Sequence, residues 1–160
     1  MIFRTILLAL SGLLLVGCDT QTPAAASLFD AGVRTAVVLT EWPGKVATDA
    51  DFPVGVRVFN SGTVLIPSLP AVSEKGKRVG VSYHWFGTDN RLVQWDGLVT
   101  SLGSDVRPGG DLDVALKVRA PAEPGRYILE VDLLQTGVFW FAGSGSQTAR
   151  VVVDVSAELP

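Results

Sequence analysis

Downstream of residue 32, apolar and polar positions alternate in short runs separated by glycine and proline. Val33 to Trp42 is one apolar-rich run, ended by Pro43-Gly44. Phe52 to Asn60 has period two, with Val54, Val56 and Val58 on one face, and stops at the turn signal Asn60-Ser61-Gly62. Gly80 to Phe86 puts Val81, Tyr83 and Trp85 on one face and Ser82, His84 and Phe86 on the other. Thr88-Asp89-Asn90 turns the chain into Arg91–Asp96, and a short segment, Leu98–Leu102, follows. Beyond Pro108-Gly109-Gly110, Leu112, Val114, Leu116 and Val118 alternate with polar or small residues up to Arg119. Tyr127 to Gln135 alternates again, with Glu130 and Asp132 on one face. Val138–Phe141 reads as an aromatic strand, Gly143-Ser144-Gly145-Ser146 as a turn, and Ala149–Val155 as the closing strand. No window shows a helical period across three turns.

Short strands at regular spacing, with Gly/Pro punctuation and no helices, predict an all-β fold, an antiparallel β-sandwich of about 7–9 strands. A closed barrel is the competing architecture. Two aromatics sharpen the expectation to an immunoglobulin/fibronectin-III-like sandwich. Trp85 stands mid-strand where such folds bury a tryptophan, and Tyr127 follows Pro124-Gly125 at the start of a late strand, the place of a tyrosine corner.

The first 32 residues follow different rules. Arg4 supplies a short positive region, and Ile6 to Val16 is apolar and free of charge, with the length and order of a signal peptide. That stretch is shorter than the roughly 20 apolar residues needed to span a bilayer. It leads into Leu15-Val16-Gly17-Cys18, a lipobox, which predicts cleavage between Gly17 and Cys18 and attachment of a diacylglyceryl group to the Cys18 thiol. Two or three acyl chains anchor a protein stably where one does not. The expected organisation is a signal peptide over 1–17, a lipidated cysteine and tether over 18–32, and one domain over 33–160. Asp19 resembles an inner-membrane retention signal. The predicted location is the bacterial cell envelope, facing the periplasm or the exterior.

Composition narrows the partners. Losing residues 1–17 removes Arg4, leaving 12 basic against 16 acidic residues, a formal charge of −4. Nucleic-acid binding wants a basic patch, so none is expected. Cys18 is the only cysteine, so the domain has no disulfide and stands on its core.

Candidate chemistry is sparse. The single histidine, His84, would have to carry any histidine-based mechanism, and no Gly-x-Ser-x-Gly elbow occurs. Asp49 with Asp51, and Asp111 with Asp113, offer oxygen ligands of the kind calcium takes, but an isolated Asp-x-Asp reads more simply as solvated turn acids. Glu130 and Asp132 sit about 7 Å apart along one strand, where a polar outer face explains them without a glycosidase. The expectation is no enzyme, no metal and no cofactor. Binding is the better prospect, with His84, Trp95, Glu130, Asp132 and Trp140 as candidate ligand contacts on the outer face of one sheet. Trp42 is a further tryptophan at a strand end. Exposed tryptophans stack on sugar rings while acids bond hydroxyls. An exposed apolar patch would point instead to a protein partner.

Val81-Ser82-Tyr83-His84-Trp85, Trp95-Asp96-Gly97, Pro108-Gly109, Ala120-Pro121 with Pro124-Gly125-Arg126-Tyr127, and Trp140-Phe141 together resemble a bacterial β-sandwich module. That module is found attached to glycosyltransferases, methyltransferases and other envelope-polysaccharide proteins. Its usual acid before the glycine preceding the Trp-Phe strand is Thr136 here. The resemblance implies an accessory role near glycans. Two roles follow for the lipid-anchored domain: an accessory or protein-interaction module, or a carbohydrate-binding module for envelope polysaccharide.

Overall fold

The computed structural model describes Leu28 and residues 31–68 and 79–157. The signal peptide, the cleavage between Gly17 and Cys18, and lipidation of Cys18 fall outside the described residues, as does most of the 18–32 stretch. Among the described residues no helix is long and apolar enough to cross a membrane.

Among the described residues ten strands form two packed sheets: β1 (Thr35–Glu41), β2 (Lys45–Ala47), β3 (Asp51–Asn60), β4 (Val79–Gly87), β5 (Leu92–Gln94), β6 (Thr100–Ser101), β7 (Asp111–Arg119), β8 (Gly125–Gln135), β9 (Phe139–Trp140) and β10 (Ala149–Ser156). The smaller sheet has the order β1-β3-β7. The larger has β2-β10-β8-β4-β5, with β6 on β4 and β9 on β8. This is the expected immunoglobulin-like sandwich, with the count raised to ten by strands of two or three residues.

Alternation explains the layers. Val54, Val56 and Val58 of β3 and Val114, Leu116 and Val118 of β7 point inward. They meet Val81, Tyr83 and Trp85 of β4 and Leu129, Val131 and Leu133 of β8, forming one continuous core. Two hydrogen bonds cross it. Tyr83 Oη accepts the Arg119 backbone N–H at 2.8 Å, and Trp85 Nε1 donates to the Arg119 carbonyl at 2.9 Å. One residue of β7 is thus held by two aromatics of the opposite sheet. Gly97 lies flat on Tyr83, where a Cβ would come within 2.7 Å of three ring carbons.

The tyrosine corner is present. Tyr127 Oη donates to the Glu123 carbonyl, four residues upstream, at 2.9 Å, and its ring meets Trp85 edge-on at 6.1 Å. Tyr127→Phe keeps the ring and loses only this bond, so thermal denaturation should show a loss of about 1 kcal/mol. An unchanged midpoint would contradict a structural role for the hydroxyl.

Several boundaries differ from expectation. The run Val33–Trp42 is not one strand. β1 begins at Thr35, bulges between Leu39 and Glu41 and ends, and after Pro43-Gly44 the chain crosses to the other sheet. There β2 pairs with β10 in parallel, whereas the other pairings between the named strands are antiparallel. The segments Arg91–Asp96 and Leu98–Leu102 contract to β5 and β6. Val138–Phe141 contracts to β9, because Phe141 opens a 3-10 turn, Phe141–Ser144, closed by Gly145 at φ 82°. Leu28 is docked: its N–H donates to Gln135 Oε1 at 3.0 Å, its carbonyl accepts Val33 N–H at 3.3 Å, and its side chain packs on the core.

Candidate functional site

β4 and β8 pair so that His84 stands opposite Glu130 and Ser82 opposite Asp132. β10 adds Arg150 opposite Glu130, and β9 places Trp140 opposite Leu134. Trp95 follows β5 on the far side of β4. All five candidate contacts, His84, Trp95, Glu130, Asp132 and Trp140, therefore gather on the outer face of the larger sheet.

That face is not open as alternation implied. Every residue from Val79 to Trp85 is buried, polar ones included. The physical cause is two covering tryptophans. The ring centroids of His84 and Trp95 are 4.2 Å apart and nearly parallel, His84 and Trp140 are 4.1 Å apart at 54°, and the two indoles are 6.0 Å apart at 71°. His84 is left 4% exposed, whereas Trp95 is 49% exposed. His84 Nδ1 faces the Trp95 carbonyl. A carbonyl only accepts, so Nδ1 carries the proton.

The two acids differ. Glu130 is half-buried, accepts Thr148 Oγ1–H at 2.8 Å and pairs with Arg150 at 3.3 Å. Arg150 also lies over the Phe86 ring, 5.1 Å from its centre, a cation–π contact. Asp132 is 1% exposed, so the expectation that it is displayed to a ligand is corrected. Its Oδ1 accepts Leu133 N–H at 2.7 Å and its Oδ2 accepts Ala142 N–H at 3.0 Å, fixing the 3-10 turn behind Trp140. Burial pushes its carboxyl up to about 6, against the two N–H groups and His84, which favour the charge. Beside it the Ser82 hydroxyl is buried without a partner.

In each Asp-x-Asp pair at least one acid is paired with a cationic side chain of the protein. Asp113 holds Arg57 through two bonds of 2.7 and 2.8 Å, with Asp111 3.8 Å from the same guanidinium. Asp51 meets Arg119 and Lys117, each at 2.8 Å. The Arg119 bond, then the Lys117 bond, hold the Asp51 carboxyl down at about 2. Among the described residues no group of three His, Cys, Asp or Glu is placed to hold a metal ion.

A groove of about 550 Å³ lies elsewhere, where the chain leaves β1 for β2. Trp42, Pro43, Val46, Phe52 and Pro53 line it, with Glu41, Lys45 and Asp51 among the polar residues. Trp42 is 42% exposed there. The sequence signal was present, a tryptophan directly before Pro43-Gly44, and apart from Ala115 the walls come from residues 41–55, but only the crossing between the sheets folds them around a groove. Another apolar feature is also revealed only by the fold. Leu92, Val93, Trp95, Leu98 and Val99 are all exposed along the outer margin of the larger sheet, beyond β4.

The chain matches no protein-family model and no curated protein. Among solved structures it is similar to the CARDB domain of a Pyrococcus furiosus protein, solved in complex with di-metal ions: 15% identity, 78% of this chain and 87% of that one, TM-score 0.41. It is similar to a β-glucosidase from Listeria innocua, in complex with glucose, at 10% identity, with 80% of this chain on 17% of the glucosidase and a TM-score of 0.48. It is also similar to the alkylpurine DNA glycosylase AlkC of Pseudomonas fluorescens at 10% identity, over 79% and 31% of the two chains, TM-score 0.43.

Proposed function

We propose that this chain is a membrane-anchored lipoprotein of the bacterial cell envelope whose immunoglobulin-like domain is a non-catalytic accessory module that binds another envelope protein. The observation that carries the interaction role is the exposed margin of Leu92, Val93, Trp95, Leu98 and Val99. Five large apolar side chains exposed within eight residues at one sheet edge are more than the singly scattered ones of an ordinary surface, and such clustering favours a docking role. The lipobox ending at Cys18 supports the anchor. A sugar platform is less well supported, because Trp95 and Trp140 are tilted 71° apart and share no plane on which a sugar could lie. Catalysis is less well supported too: His84 has its Nδ1 bonded to a carbonyl and its ring packed against two indoles.

Two experiments test this reading. Cys18→Ser should give an unlipidated precursor or a soluble product, and unchanged lipid labelling would refute the anchor. A photo-crosslinking residue at Val93 or Leu98 of the lipidated chain, in its own membrane, should yield a discrete protein adduct. The same residue at Lys117, on the opposite sheet, should yield none. Absence of adducts, together with saturable binding of envelope polysaccharide that Trp95→Ala abolishes, would replace the protein partner with a glycan.

A further inference from the structure

The docking of Leu28 has a geometric consequence for an anchored chain. Leu28 is bound to Gln135, the last residue of β8. The same end of the sandwich carries the start of β1, the loop after β3 and the turn between β8 and β9, since Thr35 pairs with Asn60 and Val79 with Gln135. Nine residues separate Leu28 from Cys18, ten steps of chain with a contour of at most about 36 Å. The eleven residues of β8 set the opposite end about 34 Å further away. Only a fully extended link laid along the side of the domain would bring that opposite end to the lipid.

Among the described residues the Leu28 end exposes two large aliphatic side chains, Leu65 and Val138, together with the cations Arg34 and Arg107 and the acids Asp105 and Asp111, the latter 3.8 Å from Arg57. Aliphatic side chains with arginines at the same end suit the headgroup boundary of an anionic bilayer. The opposite end mixes the acids Asp49, Asp89 and Glu123 with the cations Lys45, Arg91 and Arg126, and Arg91 pairs with Asp89, so the length of the link, not the charge, chooses between the ends.

We infer that the end of the sandwich bearing Leu65 and Val138 rests against the membrane surface, with these two side chains among the headgroups. The inference depends on the lipid anchor at Cys18 proposed above. It makes the Trp42 groove, on the β1–β2 crossing at the other end, a membrane-distal feature facing away from the lipid.

The test uses the full lipidated chain in vesicles of phosphatidylethanolamine and phosphatidylglycerol containing a headgroup spin-labelled lipid. Leu65→Cys, Val138→Cys and Ala122→Cys, all at exposed positions, are each labelled with bimane. Quenching at positions 65 and 138 should exceed that at 122 by at least about threefold, given their separation along the strands. Intact mass and vesicle flotation are read in parallel. A chain that carries lipid and floats, yet quenches equally at all three positions or most at 122, overturns the orientation alone. A chain without lipid mass that does not float overturns the anchor, and the orientation with it.

Discussion

Replacing Trp85 with alanine should cost about 3–5 kcal/mol, the range for emptying a large aromatic from a core. The ring is fully buried, meets Tyr83 edge-on at 6.2 Å and Tyr127 at 6.1 Å, and reaches across the sandwich to the Arg119 carbonyl. Alanine removes the ring and also leaves that carbonyl without its indole donor. For a domain whose whole stability is of the order of 5–15 kcal/mol, this is about a fifth of the total or more. Urea unfolding of the domain would measure it, with an unchanged slope showing that the denatured state is the same. Trp85→Phe separates the two contributions, since it keeps an aromatic filling and loses the hydrogen bond; it should fall between alanine and the parent. A loss under about 1 kcal/mol for alanine would contradict the packing around this ring.

How much of this was readable in advance depends on where each signal lies. β3, β7 and β8 were legible because each buries one face, so a period of two runs through Val54, Val56 and Val58 and through Leu112, Val114, Leu116 and Val118. The crossing from β1 to β2 was not, because three residues, Lys45 to Ala47, cannot display a period. Trp85 was legible as a core position because it stands mid-strand on the apolar face of β4, and Tyr127 as a corner because Pro124-Gly125 precedes it, whereas the bond from Trp85 to Arg119 was not, because it crosses the sandwich.

The candidate site was legible in membership and misread in exposure. Alternation along β4 places Ser82 and His84 on the outer face, and they do lie there, opposite Asp132 and Glu130. Alternation carries no information about what lies over that face. Trp95 comes from 11 residues after His84 and Trp140 from 56 after it, and their packing on the imidazole is a long-range fact. The 3-10 turn that follows Trp140 depends in turn on the Asp132 carboxylate accepting Ala142 N–H. An acid expected on the surface is therefore a buried support for the segment that covers it. The apolar margin from Leu92 to Val99 was missed for the converse reason. The short segments Arg91–Asp96 and Leu98–Leu102 carry no alternation that says which side they expose, and only the sheet order shows that nothing among the described residues pairs beyond β5.

Asp132→Asn should change how stability depends on pH. The Asp132 carboxyl is held at about 6 in the fold, chiefly by burial, while an unfolded aspartate titrates near 3.9. The raised value means that the folded state takes up the proton more readily than the unfolded chain. The stabilisation by the neutral carboxyl is thus fully present below about pH 4 and is lost as pH rises through about 6. Two pK units correspond to about 3 kcal/mol between those limits. Asparagine cannot ionise, so the difference in unfolding free energy, parent minus variant, should rise by that order as pH falls from 7 to 4. Taking the difference removes the contributions of ionisable groups that both chains share and that lie away from position 132; His84 and Glu130 face the Asp132 carboxyl and are present in both chains. The window stops at pH 4 because an unfolded aspartate titrates near 3.9, so below it both states hold the proton and the difference no longer changes. Asp51, held at about 2 by Arg119 and Lys117, acts with the opposite sign below that pH, but in both chains alike. Asparagine also turns an amide N–H₂ toward one of the two backbone donors, a cost of about 1–3 kcal/mol that does not vary with pH. The slope of the difference, not its offset, therefore reports the carboxyl. A difference that stays flat from pH 7 to 4 would mean that water reaches Asp132 behind Trp140, and that the two indoles do not seal the face they cover.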